Sequence, residues 1–284
     1  MNQALFDPAF DGHTHSPFCP HGAADPLAAY LDRAVGLGFR RYAVTEHMPL
    51  PAGFRDPMGP YQCAGPIADL PPYLTAVEQA REAYAGRLRV YVGLEVDYLG
   101  GVSPDWHEAV LDLLDTVWDR LEPEGTLLSV HFLGNSLVDG TVHLAAGLIP
   151  EGLSPDAYHL RYYAMLKEAL TVSWRRRGRD LRPRRLSHLT LPRKFIAALP
   201  LAEPRRVDQA AREVLELVAA EGLELDLNSA GLDKAECGEI YLPEPLLGWA
   251  VELGIPLVFG SDAHRAAEVG RHHDAVLAAL AAYR

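Results

Sequence analysis

Short apolar or alternating runs recur along the chain, separated by longer stretches with helical periodicity. Seven of the short runs read as strands: Phe10–His15, Arg40–Glu46, Arg89–Val96, Thr126–His131, Arg185–Leu189, Leu223–Asn228 and Pro256–Gly260. The helical stretches run near Pro26–Leu37, Pro72–Ala85, Pro104–Leu121, Pro155–Arg175, Arg205–Glu221, Pro243–Leu253 and Ala266–Ala282. Ser103-Pro104-Asp105 and Ser154-Pro155-Asp156 each supply an N-cap hydroxyl, Pro at the first helical position and an acid in the first turn. Such alternation predicts βα units around a parallel sheet. A chain of 284 residues fits one α/β barrel, and no low-complexity linker divides it, so residues 1–284 read as a single domain. Two connections are too long for turns, Met48–Pro71 and Gly134–Ser154, and loops of that length tend to cover or line a site.

Composition narrows the function classes. Hydrophobic residues at 49% and charged residues at 23% are ordinary for a globular protein with a large core. A net charge of −12 disfavours a general nucleic-acid surface, which needs clustered Lys and Arg. The one dense basic run, Arg175, Arg176, Arg177, Arg179, Arg182, Arg184 and Arg185, is expected to follow a helical pattern as a solvated face or a subunit contact, compatible with a homo-oligomer. No apolar run approaches the roughly 18 residues of a membrane span. The segment MNQALFDPAFDGHTH lacks a basic region followed by an apolar one, so a cytoplasmic, membrane-free protein is expected. Cys19, Cys63 and Cys237 are odd in number, widely spaced and without a Cys-x-x-Cys, which argues against disulfides and a thiolate zinc knot. Cys19 stands beside His21 as a ligand or, the expectation here, as loop packing.

The titratable residues group at the strand ends. His13 and His15 end the first strand, Glu46 and His47 the second, Glu95 the third, His131 the fourth and His188 the fifth, while Asp262 and His264 follow the seventh. In a parallel barrel all strand C-termini open on one face, where active sites assemble. So many buried polar groups in one place need a cation to compensate them. The candidate ligands His13, His15, His21, His47, Glu95, His131, His188, Asp262 and His264 exceed the four to six positions of one ion, which implies two to three. Imidazole with carboxylate suits zinc, iron or manganese. A carboxylate can bridge two ions, and Glu95 is the natural bridge. Such a cluster lowers the pKa of water and clamps phosphoryl oxygens, which favours hydrolysis. His107, His143, His159, His272 and His273 lie on helices or long loops and are expected at the surface, His143 and His159 within reach of the site's mouth.

Seven stretches spread over nearly the whole chain carry a family resemblance: DGHTHSPFCPHG, YAVTEHMPLP, YVGLEVDYLGG, LLSVHFLGN, LSHLTLPRKF, LELDLNSAGLDKAECGEIYLPEP and LVFGSDAHRAAEVG. In that order they resemble the PHP (polymerase and histidinol phosphatase) family, its monofunctional histidinol-phosphate phosphatases in particular. The resemblance implies a distorted (β/α)7 barrel with a trinuclear metal site at the C-terminal ends of its strands. It assigns one ion to His13, His15, Glu95 and Asp262, a second to Glu95, His131 and His188, and a third to His21, His47 and His264. Catalysis would rest on Glu95, Asp262 and His264, and Arg161 and Arg193 lie where relatives bind phosphate. Thr190 and Asp233 depart from the family pattern, an acid being frequent at the first position and a basic residue at the second.

The function that this resemblance implies is hydrolysis of a small phosphomonoester, L-histidinol phosphate, to L-histidinol and phosphate in histidine biosynthesis, by hydroxide activated at the metals. Asp97, Asn228 and the Met48–Pro71 loop are candidates to contact the histidinol end. The alternatives are a PHP phosphoesterase acting on another phosphomonoester or a nucleotide, and a non-catalytic module associated with a polymerase.

Overall fold

The computed structural model describes residues 5–134, 136–138 and 153–283. Most of the Gly134–Ser154 connection, with His143, lies outside the described residues. The strands in chain order are β1 Phe10–Asp11, β2 Arg41–His47, β3 Arg89–Asp97, β4 Thr126–Ser129, β5 Phe132–Leu133, β6 Ser136–Leu137, β7 Arg175–Arg176, β8 Arg179–Asp180, β9 Arg185–Leu186, β10 Glu224–Asn228 and β11 Leu257–Gly260. Seven of them form one parallel sheet in the order β1-β2-β3-β4-β9-β10-β11. Its two edges meet: Gly12 N donates to Phe259 O at 2.8 Å, His15 N to Ala263 O at 2.9 Å and Asp262 N to His13 O at 2.8 Å. The result is a nearly closed barrel, as expected for a (β/α)7 fold.

The helices are α1 Leu27–Gly36, α2 Leu70–Ala83, α3 Pro104–Val117, α4 Pro155–Thr171, α5 Pro204–Ala220, α6 Leu246–Glu252 and α7 His273–Ala281. The two expected caps are present, with Ser103 Oγ accepting from Asp105 N and Ser154 Oγ from Ala157 N. Such caps each stabilise by about 1 kcal/mol. No helix among the described residues is long and apolar enough to cross a membrane.

Alternate residues of each strand face different surroundings. In β3, Val90, Val92, Leu94 and Val96 join the core shared with Leu74 and Val77 of α2 and Leu111 and Leu114 of α3. Burying each such side chain contributes roughly 1.5–3 kcal/mol. Between these residues stand Tyr91, Gly93, Glu95 and Asp97. Tyr91 packs inside the barrel with Phe10, Ala43 and Val258. Arg185 closes the same end, 1% exposed, donating to Gly12 O at 2.7 Å, Glu124 O at 2.8 Å and the Glu224 carboxylate at 3.2 Å. Burial lowers the pKa of this guanidinium, and Glu224 with Asp226 opposes that shift. Gly93 is required by a close approach: a Cβ there would stand 1.8 Å from Gly125 O.

Three sequence expectations need correction. The helix expected to reach Arg175 stops at Thr171. The basic run that follows folds into the β7–β8 hairpin around Arg177 (φ 48°) and Gly178 (φ 83°). Arg176, Arg177 and Arg179 there pair with Asp112 and Asp115 of α3 and with Asp119 in the turn just beyond it. The last helical stretch is broken, with a 3-10 turn at Ala266–Glu268 and His272 left-handed (φ 55°) before α7. His107 and His159, expected at the surface, are 4% and 1% exposed. His107 Nε2 donates to Ser173 O at 3.1 Å between the rings of Tyr98 and Trp174, and His159 lies on the inner stripe of α4 with Tyr162, Tyr163 and Leu166.

Candidate metal centre

The imidazoles predicted at the strand ends converge at one mouth of the barrel. His47 ends β2 and Glu95 lies within β3, two residues before its end. His131 and His188 lie two residues beyond β4 and β9, and His13 and His15 lie beyond β1, which is shorter than expected because its pairing continues only as the single bridge of Thr14 to Ala263 after β11. Asp262 projects from a left-handed residue (φ 50°) that a non-glycine adopts at some cost. Arg271 braces that turn, its Nε donating to Ser261 O at 2.6 Å and its Nη2 to Asp262 O at 2.7 Å. Asp11 holds the same turn from below by accepting from Ser261 N at 3.0 Å and Gly270 N at 3.2 Å.

Glu95 is central. One oxygen lies 3.1 Å from His47 Nδ1, 3.5 Å from His13 Nε2 and 3.7 Å from His15 Nε2; the other lies 3.1 Å from His188 Nε2 and 3.6 Å from His131 Nε2. Asp262 approaches His15 Nε2 at 3.2 Å. Burial acts to raise the pKa of both carboxyl groups, and the facing imidazoles overcome it, holding Glu95 and Asp262 well below the usual range. Burial likewise acts to lower His13 and His15, and their carboxylate neighbours reverse it, taking His15 up to about 9. In His264 burial wins, and its pKa is driven well below the ordinary imidazole value with the help of His15.

The outer nitrogens explain which atoms are left for a cation. Nδ1 of His13 donates to Asp226 at 2.7 Å, that of His15 to Glu46 at 3.3 Å, that of His131 to Asp97 at 3.0 Å, that of His21 to Gln62 O at 3.0 Å and that of His264 to Asp262 O at 3.0 Å. A neutral ring with its proton so placed turns the Nε2 lone pair inward, the arrangement that orients metal-binding histidines. Nε2 atoms face one another at 3.1 Å between His21 and His264 and at 3.2 Å between His131 and His188. Two facing lone pairs repel without a proton or a cation between them. Nε2 of His13 and of His15 is buried without any hydrogen-bond partner. The donor set therefore fits divalent cations. Three groups have ligand atoms mutually within 4.8 Å: His13, His15 and Asp262; Glu95, His131 and His188; and His15, Cys19, His47 and His264.

A cavity of about 380 Å³ opens over these groups. Met58, Gln62 and Cys63 of the Met48–Pro71 loop line it, together with Phe132, Leu137, Tyr241, Lys194 and Lys234. Asp97 also lines it, while holding His131 through both its backbone N and its ring. Asn228 lies beneath the site, fully buried, donating to Asp226 and Asp262 at 3.1 and 3.2 Å. Arg193 is turned to Glu239 and Arg161 is exposed beside Gly134; neither lines the cavity, whereas Lys194 next to Arg193 does. Asp233 pairs with His272 at 2.6 Å and leaves the cavity wall to Lys234. Sequence reasoning passed over Asp226 and Glu46 as carboxylates that aim His13 and His15, and over Lys194 and Lys234 as cavity cations. The alternation in LELDLN marks Asp226 as one of the polar positions of a strand without singling it out.

Comparison with known proteins agrees with this architecture. The PHP domain profile matches residues 11–230 and a PHP-associated profile matches residues 247–279. The histidinol-phosphatase of Bacillus subtilis (strain 168) is 35% identical over 271 residues, which cover 94% of this chain and 97% of that protein. The crystal structure of a Listeria monocytogenes chain designated a candidate histidinol phosphatase, hisK, superposes with a TM-score of 0.83 at 30% identity, covering 94% of this chain and 99% of that one. The histidinol phosphate phosphatase of Lactococcus lactis subsp. lactis, crystallised with zinc, L-histidinol and phosphate, shares the fold at a TM-score of 0.66 and 17% identity, over 95% of this chain and 93% of its own. With the profile spanning most of the barrel and a relative matched along nearly its full length, the chain belongs to the PHP family.

Proposed function

We propose that this chain is a single-domain metal-dependent phosphomonoesterase that hydrolyses L-histidinol phosphate to L-histidinol and phosphate in histidine biosynthesis, a role suited to the cytoplasm. The observation that carries the reading is the set of ring nitrogens facing Glu95 and Asp262, with His13, His15, His131 and His264 fixed from behind by an acceptor on Nδ1. Full-length similarity to a histidinol-phosphatase supplies the substrate class. Two to three zinc, iron or manganese ions would be held by His13, His15, Glu95 and Asp262, by Glu95, His131 and His188, and by His21, His47 and His264. When bound, such cations lower the pKa of water to near neutrality and offset the charge of the phosphoryl oxygens.

The protein residues divide the remaining work. Glu95 joins the groups through its two oxygens, and Asp226, Glu46 and Asp97 keep His13, His15 and His131 in one tautomer. Lys234 and Lys194 present cations to the phosphate at the cavity wall. Arg193 would join them only by leaving Glu239, and Arg161 would add charge from the rim. Phe132, Leu137 and Tyr241 offer an apolar surface to the imidazole end, in a cavity large enough for a small ligand.

Phosphate release from L-histidinol phosphate, measured beside a panel of other phosphomonoesters and phosphodiesters and with metal content determined on the same sample, tests the reading. A kcat/KM confined to a different compound overturns the substrate. A metal-replete protein that hydrolyses none of the panel overturns the activity.

A further inference from the structure

We propose that Cys19 is a thiolate ligand of the cation held by His47 and His264, because its sulfur and the donor atoms of His15, His47 and His264 lie mutually within 4.8 Å. The inference rests on the metal-dependent reading above and adds a soft donor to a site otherwise built of imidazole and carboxylate.

Three features of the Cys19 segment support this role. Cys19-Pro20-His21-Gly22 is a tight turn, with Gly22 N donating to Cys19 O at 3.1 Å, and the backbone N–H groups of His21 and Gly22 both approach the sulfur. Burial holds the pKa of this thiol well above its ordinary value, and the two amide donors oppose that shift only in part, so the case for a thiolate lies in the geometry of the donor group. The turn is also tied to the loop after β11, because Ala23 N donates to His264 O at 2.8 Å. A Cβ on Gly22 would meet that carbonyl oxygen at 3.0 Å and Cys19 Cβ at 3.1 Å, so the turn is packed closely against both.

The second, independent observation is His15. It is fully buried, its Nε2 has no hydrogen-bond partner, and the residue belongs both to the group with the Cys19 sulfur and to the one it forms with His13 and Asp262. The other two thiols are engaged elsewhere: Cys63 donates to Asp56 at 3.0 Å and Cys237 to the carbonyl of Glu239 at 3.6 Å. Cys19 is 6% exposed, so bulk solvent does not compete for its sulfur.

Binding breaks the S–H bond of Cys19, releases its proton to the buffer and gives the sulfur electron pair to the cation. A thiolate among nitrogen donors favours zinc or iron over manganese. The inference therefore narrows the metals at this position.

Cobalt is the probe, because cobalt bound to sulfur shows a thiolate-to-metal charge-transfer band in the near ultraviolet that nitrogen and oxygen ligands do not give. Metal-free chain is loaded with Co2+ alone, and its cobalt content is measured on the same sample. The wild-type chain is expected to show the band, Cys19→Ser to lose it, and the double variant Cys63→Ser with Cys237→Ser to keep it. Cobalt-loaded wild type without the band, a Cys19→Ser variant that retains it, or a double variant that lacks it overturns the proposal. Should Cys19→Ser fail to fold, the double variant decides alone. Uptake of no cobalt sinks both this inference and the metal-dependent reading. A band without phosphate release sinks only the proposed activity, and phosphate release with cobalt bound but no band sinks only the thiolate.

Discussion

Nδ1 of His13 stands 2.7 Å from Oδ2 of Asp226, and neither side chain is exposed to solvent. The pair joins the segment after the first barrel strand to the sixth, and it sets the proton on Nδ1 so that Nε2 faces Glu95 and Asp262. Asp226→Asn replaces an obligate acceptor with a group able to donate, and the ring loses its fixed tautomer. The expected result is a roughly 10–100-fold weaker affinity for one cation, with the fold retained. Titration of metal against a competing chelator checks it, and an unchanged affinity would show that backbone geometry alone aims His13.

Glu95 is approached by five imidazoles within 3.7 Å. Glu95→Gln keeps the shape and removes the charge, so cations held on its two sides would lose a shared anionic ligand. Phosphate release should fall severely and the metal stoichiometry should drop below wild type. An active variant with its full metal content would remove Glu95 from the bridging role.

Lys234 lines the cavity, whereas Arg193 is held by Glu239. Losing a hydrogen bond to a charged group costs roughly 1.5–3 kcal/mol, or roughly one to two decades in kcat/KM. Lys234→Ala is expected to show a loss of that size with metal content intact. Arg193→Ala is expected to lower kcat/KM as well, to the extent that substrate draws the guanidinium away from Glu239. Wild-type kinetics in Lys234→Ala would move the phosphate contact to Lys194 or the two arginines.

His159 is buried on α4, and burial, with Arg193 nearby, lowers its pKa from 6.5 to about 4. Between those values the unfolded chain binds the proton and the folded chain does not. The neutral ring's contribution to stability is thus complete above pH 6.5 and is lost as pH falls to about 4. The change is worth roughly 3 kcal/mol. Denaturant unfolding of metal-free wild type and His159→Leu, followed across this range, should show a shallower pH slope in the variant. Parallel slopes would mean that His159 titrates normally in the fold.

The barrel and its ring of imidazoles could be read from the chain because the strands are apolar on one set of positions and six of the seven end at or beside a ligand-type residue. Asp226 could not be picked out in that way. In LELDLN the polar alternates look like the solvent side of a sheet, and only closure of the barrel turns them onto His13. His107 and His159 carried a usable signal: each heads an i, i+3, i+4, i+7 stripe, with Val110, Leu111 and Leu114 or with Tyr162, Tyr163 and Leu166. The hairpin at Arg175–Asp180 was announced by Arg177-Gly178 between its strands but masked by charge that suggested an exposed helix face. The Arg193–Glu239 pair spans 46 positions and had no local signature at all.

The alternation along β3, with Val90, Val92, Leu94 and Val96 on one side and Tyr91, Glu95 and Asp97 on the other, bears on how such a protein can change over time. Point substitutions can retune the catalytic layer while the layer beneath the helices stays as it is, and the reverse also holds. A single-residue deletion inside the strand has no such freedom, because it turns every later side chain to the opposite face and sends valines into the cluster and carboxylates into the core. Length variation is therefore confined to connections such as Met48–Pro71, where an added residue reshapes the cavity wall without disturbing the order of the strands.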